Sequence, residues 1–176
     1  MHGIIFVAFR DYLTAAFGAA QAEVAFRGRS TYAMTEAYAD DEFTEILAAT
    51  ATATTREQPT LLTDFGIFTG EIVFPRLYPA FYEVAGDPRT FLLTVEDRIH
   101  ELVRATIPHA QPPRLHVAPA DGQSVTITYD SPRRLCRLLE GLAIGTARHY
   151  RTAADVAEIQ CVSRGSDACR FHVVFR

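Results

Sequence analysis

The stretch "RTFLLTVEDRIHELVRATIPHAQPPRLHVAPA", Arg89 to Ala120, changes period in its middle. Phe91, Leu92, Val95, Ile99, Leu102, Val103 and Ile107 recur at three- and four-residue spacing, the stripe of a helix with one buried face, and Pro108 stops it. Past the Pro112-Pro113 pair the period becomes two. "RLHVAPA" alternates as a strand, and "SVTITY" repeats the pattern beyond an Asp121-Gly122 turn. A helical first part therefore gives way to an antiparallel sheet.

Upstream, Ile4, Ile5, Ala8 and Tyr12 recur at helical spacing, and "DDEFTEILAATATATT" opens on a pair of aspartates suited to a helix N-terminus. Its "TATATT" end reads as a fraying last turn. Pro59 stands where a first turn tolerates proline and opens "PTLLTDFGIFTGEIVF". Downstream, a helix is expected from about Arg134 to Tyr150, and "VAEIQCVSRGSDACRFHVVF" reads as a closing hairpin around Gly165. The class is α+β: an N-terminal helical subdomain packed on a C-terminal subdomain with a four-stranded antiparallel sheet.

With 176 residues, 48% of them hydrophobic, the chain can bury one core without a partner. A net charge of −4 and a pI near 5.8 give no general footing for nucleic acid or an anionic membrane. Arg10 and Asp11 interrupt the first apolar run, no basic region precedes it, and no segment approaches the ~18 uncharged apolar residues of a membrane span. The expected location is the cytoplasm. Three cysteines without an export signal argue against a disulfide framework and for thiols or a metal site.

Tyr129, Ser131 and Arg133 fall at i, i+2 and i+4, so an extended segment would aim a phenol, a hydroxyl and a guanidinium in one direction, and Pro132 keeps Ser131 out of the helical region. Such a donor set suits a carboxylate or phosphate. His100 lies at the border of the apolar stripe. A lone histidine there is usually a packed core residue. In company with an anion-binding trio and many aromatic helices, it would suit a buried heme: a neutral imidazole on iron, with the arginine and two hydroxyls on the propionates. His109, after the helix stop, is the reserve ligand.

These residues resemble the heme nitric oxide/oxygen binding (H-NOX) domains, related to the sensor region of soluble guanylate cyclase. The resemblance spans essentially the whole chain: "MHGIIF" at the start, "LLTDFG" at 61–66, "FLLTVEDRIHELVRATIPHAQPPRL" at 91–115, Tyr129, Ser131 and Arg133 as Y-x-S-x-R, and "GLAIG" at 141–145. It implies that 1–176 is a single domain, with 1–60 a helical distal part, 61–176 the proximal helix plus sheet, and a pocket for heme b between them. It also implies that His100 is the axial ligand, that Tyr129, Ser131 and Arg133 bind the propionates, that Ile5 contacts the macrocycle, and that Pro113 presses on it. Relatives that hold dioxygen carry a distal tyrosine where the register places Leu138, and Phe9 falls where a distal aromatic is expected. Both are apolar, so nitric oxide and carbon monoxide are the expected ligands and dioxygen is not.

Cys161 and Cys169 flank the turn "VSRGSDA". Alternation groups Cys161 with Ala157 and Ile159, and Cys169 with Phe171, Val173 and Phe175, while Cys136 is on the helix expected to cover that face. Some bacterial relatives carry a four-cysteine zinc site here. Three positions match in this chain, and the fourth corresponds to Glu158, which simple alternation points away from Cys161, as it points His172 away from Cys169. Two readings stand: zinc ligands, or three buried thiols packed as small hydrophobes.

The resemblance implies a binding module in signal transduction and not an enzyme, its output passing to a separate protein such as a histidine kinase or a cyclic-dinucleotide enzyme. The alternative is a heme-free zinc or thiol redox or small-molecule sensor on the same fold, since "CVSRGSDACRFHVVF" also resembles the end of vinyl-reductase-type regulator domains.

Overall fold

In the computed structural model, which describes residues 1–29 and 31–176, His2 caps the first helix: its Nδ1 accepts from the Ile4 N–H at 3.3 Å. That helix, α1, runs over Gly3–Phe17, followed by α2 (Ala19–Ala25) and α3 (Asp40–Thr54). The threonines of "TATATT" do not fray. Thr50, Thr52 and Thr54 hydrogen-bond back to the carbonyls of Ile46, Ala48 and Thr50, and α3 stays helical through Thr54.

With Pro59 in its first turn, α4 spans Gln58–Phe68 and continues through a π turn, Thr69–Val73, into α5 (Phe74–Leu77) and then α6 (Pro79–Ala85). The helix expected over 91–107 is likewise broken by a π turn: α7 is Pro88–Val95, the wide turn is Glu96–His100, and α8 is Glu101–Thr106. β1 (Arg114–Pro119), β2 (Ser124–Asp130), α9 (Cys136–His149), β3 (Ala154–Gln160) and β4 (Cys169–Phe175) complete the chain. The expected α+β class holds, with one four-stranded antiparallel sheet in the order β1-β2-β4-β3.

Two cores form. The first is aromatic and helical, with Phe6, Phe9, Phe43 and Phe65 fully buried and Phe9 meeting Phe65 and Phe43 edge-on at 4.9 and 5.4 Å. The second lies between the sheet and α7 and α9, around Phe91, Val125, Ile127, Phe171 and Val173. Helix α9 serves both, giving Leu138 to the first and Cys136, Leu139, Ala143 and Ala147 to the second. It lies so close to α4 that a Cβ on Gly141 would stand 2.2 Å from the Thr63 carbonyl oxygen. Among the described residues, no helix is long and apolar enough to cross a membrane.

Candidate functional site

The stripe of the proximal helix is buried only at its start. Phe91 and Leu92 are core residues, but no residue of 96–106 is buried, and Leu102 is 47% exposed. Sequence reasoning expected the whole stripe to be covered. The segment instead packs on β1 along one side, leaving Leu93, Val95 and Ile99 half-buried against the second core. Ile5, Leu77, Leu135 and Leu142 are half-buried against the first core, and Phe74 packs against both.

His100 sits at the end of the π turn. Its Nδ1 is 2.9 Å from Glu96 Oε2, and the tautomer that donates to this carboxylate carries its lone pair on Nε2. Burial lowers the His100 pKa, against the opposing effects of Glu96 and the Pro113 carbonyl, and favours the neutral imidazole that ligates metals. The Glu96 carboxylate also accepts from the Leu115 N–H at 3.0 Å and from Arg104.

The anion-binding trio converges differently from expectation. The chain is extended only to Asp130 and then turns: the Arg133 N–H donates to Ser131 Oγ at 3.3 Å, the Arg134 N–H to the Ser131 carbonyl at 3.2 Å, and Arg134 adopts a left-handed φ of 52°. A Ser-Pro turn, not strand alternation, gathers the three. The buried Tyr129 hydroxyl accepts from the Leu135 N–H at 3.2 Å, and burial raises its pKa.

Arg133 is already holding a carboxylate. Its Nε donates to Asp40 Oδ1 at 2.8 Å and its Nη1 to the Gln111 carbonyl, and Asp40 also accepts from the N-terminal ammonium at 2.6 Å. Burial works against the Asp40 charge, but the bonds from the ammonium and Arg133 outweigh it and hold the carboxyl below its usual range. The segment from Gln111 to Leu115 therefore ties the two halves of the site, accepting from Arg133 at one end and donating to the Glu96 partner of His100 at the other. Phe9 and Leu138 share the first core, and Ile5 packs on it.

Asp40, Glu96 and Arg104 escaped the sequence reading. Glu96 and Arg104 stand four residues either side of His100, a spacing that could have flagged them. Asp40 is 93 residues from Arg133, and no local pattern connects them.

The thiols form a second cluster. Cys136 Sγ lies 3.1 Å from Cys169 Sγ, which lies 3.8 Å from Cys161 Sγ. Ligand atoms of all three and of Glu158 fall within 4.8 Å of one another. The expected misdirection of Glu158 is overturned by a β-bulge between Glu158 and Gln160: Glu158 pairs with Phe171 and faces inward, and the extra residue returns Cys161 to the same face. Ala157 and Ile159, expected beside Cys161, are exposed on the other face. His172 is on that outer face too, paired with Ala157. Glu158 Oε2 is held by Arg164 at 3.1 Å, while Oε1 is buried without a hydrogen-bond partner. A hydrogen bond to Ser163 lowers the Cys161 thiol pKa, whereas burial raises that of Cys136. The cluster opens on a cleft of about 730 Å³.

Both donor sets fit the groups the sequence pointed to. A half-covered apolar helix, an oriented imidazole and an arginine gripping a carboxylate suit heme. Three thiols and an orphaned carboxylate oxygen suit a tetrahedral ion, whose thiolates at ~2.3 Å from zinc would stand ~3.8 Å apart.

The family model described as Haem-NO-binding matches residues 2–158. Among solved structures, an H-NOX protein from S. oneidensis in the Fe(II)NO ligation state superposes with a TM-score of 0.89 at 23% identity, covering 100% of this chain and 99% of that one. The Fe(II) unliganded H-NOX protein from K. algicida gives 0.83 at 24% identity, over 100% and 97%. An oxygen-binding H-NOX domain related to soluble guanylate cyclases, in its oxygen complex, gives 0.87 at 20% identity, over 100% and 95%. No curated protein matches the chain. These identities establish the fold.

Proposed function

The chain belongs to the Haem-NO-binding family, and from that premise we propose that it is a heme-based gas sensor, a binding module and not an enzyme. The observation that carries the reading is that the Gln111–Leu115 segment joins a carboxylate-binding Arg133 to the Glu96 that orients His100, beside a helix face that the protein leaves half-covered. Heme b, when bound, supplies the iron position at which a gas is held. His100 offers Nε2, with its Nδ1 fixed by Glu96. Tyr129, Ser131 and Arg133 would hold the propionates, with Arg133 offering them the guanidinium that now binds Asp40, and Ile5 and Pro113 would contact the macrocycle.

Phe9 and Leu138 both belong to the first core, and neither side chain can donate a hydrogen bond. Dioxygen gains nothing there, while nitric oxide and carbon monoxide need little. The exchange at Asp40 alters a contact between α3 and the turn after β2, and α9 is built into both cores. Heme occupancy is thereby linked to the relation of the distal part, 1–60, to the proximal part, 61–176, and a gas-dependent change in that relation is what a separate effector, such as a histidine kinase or cyclic-dinucleotide enzyme, would read. A visible spectrum of the ferrous protein, taken alone and then with nitric oxide, carbon monoxide and air, tests this. A Soret band that moves with the first two gases is expected. A stable oxy spectrum in air contradicts the selectivity.

The thiol cluster supports a second, compatible role. Cys136, Cys161, Cys169 and the orphaned Glu158 oxygen would hold a structural zinc ion. Zinc released at one equivalent per chain on thiol modification is the expected result. A metal-free protein with three titratable thiols would leave them as packing residues.

A further inference from the structure

We infer that Glu96 is a positioning residue that sets the electron donation of His100, and that Arg104 moderates it; the inference rests on His100 being the iron ligand. Glu96 is not a loose surface acid. Its side chain is 19% exposed, that of His100 16%, and the carboxylate is held on three sides. Oε2 takes His100 Nδ1 at 2.9 Å and the Leu115 N–H of β1 at 3.0 Å, while Oε1 takes Arg104 from the next turn of the helix.

The consequences follow from the chemistry of a histidine whose outer nitrogen is spoken for. A carboxylate accepting from Nδ1–H fixes the tautomer with the Nε2 lone pair available and makes that nitrogen a stronger donor. The Leu115 bond anchors the carboxylate to the sheet, so the imidazole is oriented by β1 as well as by its own helix. Arg104 acts the other way, drawing charge from Oε1 and reducing what Oε2 can give to Nδ1. Among the described residues its Nη1 is buried without a hydrogen-bond partner, and Glu96 is the carboxylate that holds this guanidinium at the site. A plain helix staple between Glu96 and Arg104 would need no contact with His100 at all.

Opposite signs separate the two roles. Glu96→Gln keeps the shape and an acceptor but removes the charge; Arg104→Gln keeps the carboxylate and removes the cation that tempers it. In the heme-loaded ferrous protein, compared at equal Soret absorbance, Glu96→Gln is expected to lower the iron–histidine stretching frequency in the resonance Raman spectrum and raise the midpoint potential. Arg104→Gln is expected to raise the frequency and lower the potential. Shifts of both variants in one direction, as general loosening would give, or no shift in either, would overturn the inference. Absence of an iron–histidine band from the unmodified protein would overturn the assignment of His100 and the role of Glu96 together.

Discussion

Phe6, Phe9, Phe43 and Phe65 are fully buried and in ring contact with one another, whereas no residue from Glu96 to Thr106 is buried, although that segment supplies Ile99, Leu102 and Val103 at helical spacing. Both regions are apolar by sequence. The first has its partners within the chain, packed as densely as interiors usually are. The second packs on β1 along one side, and none of its residues is buried. Full burial of a side chain such as Ile99 or Leu102 contributes about 1.5–3 kcal/mol, so a helix left open over two turns forgoes several such contributions. Placing His100, its Nδ1 held by the Glu96 carboxylate, on that half-covered helix is what makes the difference informative.

Truncation should expose the contrast most strongly. In the heme-free protein, Phe65→Ala is expected to cost about 3–5 kcal/mol in chemical denaturation, while Leu102→Ala costs less than about 1 kcal/mol. Similar losses at the two sites would mean that the proximal helix is as well packed as the aromatic core.

Heme retention sharpens the comparison at the other end of the site. Arg133→Ala should release heme faster than Arg134→Ala, because Arg133 grips a carboxylate and Arg134, exposed on its left-handed turn, does not. A charge-assisted bond of roughly 1.5–3 kcal/mol corresponds to about tenfold to a hundredfold in the release rate. Equal rates in a transfer assay to an apo-globin acceptor would remove Arg133 from the site.

The distal wall predicts a smaller effect. Leu138→Tyr places a phenol in the first core, and a hydrogen bond of about 1 kcal/mol gives dioxygen only a fivefold to tenfold gain, readable by flash photolysis. Tyr78 is the residue to check beside it. Its phenol is half-buried with a raised pKa, and it makes no side-chain hydrogen bond among the described residues, so Tyr78→Phe should leave gas binding unchanged. A loss of dioxygen or nitric oxide affinity in that variant would identify a donor that the apolar wall conceals.

The weakest expected effect is acid sensitivity of the heme-free form. Asp40 has a folded pKa below its unfolded value of 3.8, so its contribution is full above that value and is lost as pH falls through the folded one. Asp40→Asn should make the acid limb of a stability profile shallower below pH 3.8, and Arg133→Ala should do the same. Unchanged limbs in both would show that solvent screens this half-exposed link.

Much of the scaffold was legible because periodicity is a local property: the stripe from Phe91, the alternation after Pro113 and the Gly165 turn each announce their element. The breaks in it were not. A π turn at 96–100 and the bulge at 158–160 each alter the register without any residue type that marks them, and both decide where a functional side chain points. The Ser131 turn was half-visible: Pro132 argued against helix, but the side-chain bond from Ser131 that bends the chain was not foreseen. Asp40 on Arg133 belongs to tertiary packing, which joins positions that share no pattern.

His100 on heme iron is the claim on which the rest depends. The most direct measurement is the Soret absorbance of His100→Gly, expressed with heme supply and compared with the unmodified protein, without and with added imidazole. The account predicts a lost or much weakened band that imidazole restores, because the glycine leaves the Nε2 position empty while Arg133, Tyr129 and Ser131 remain. An unchanged band without imidazole would show that another residue, His109 first among them, holds the iron.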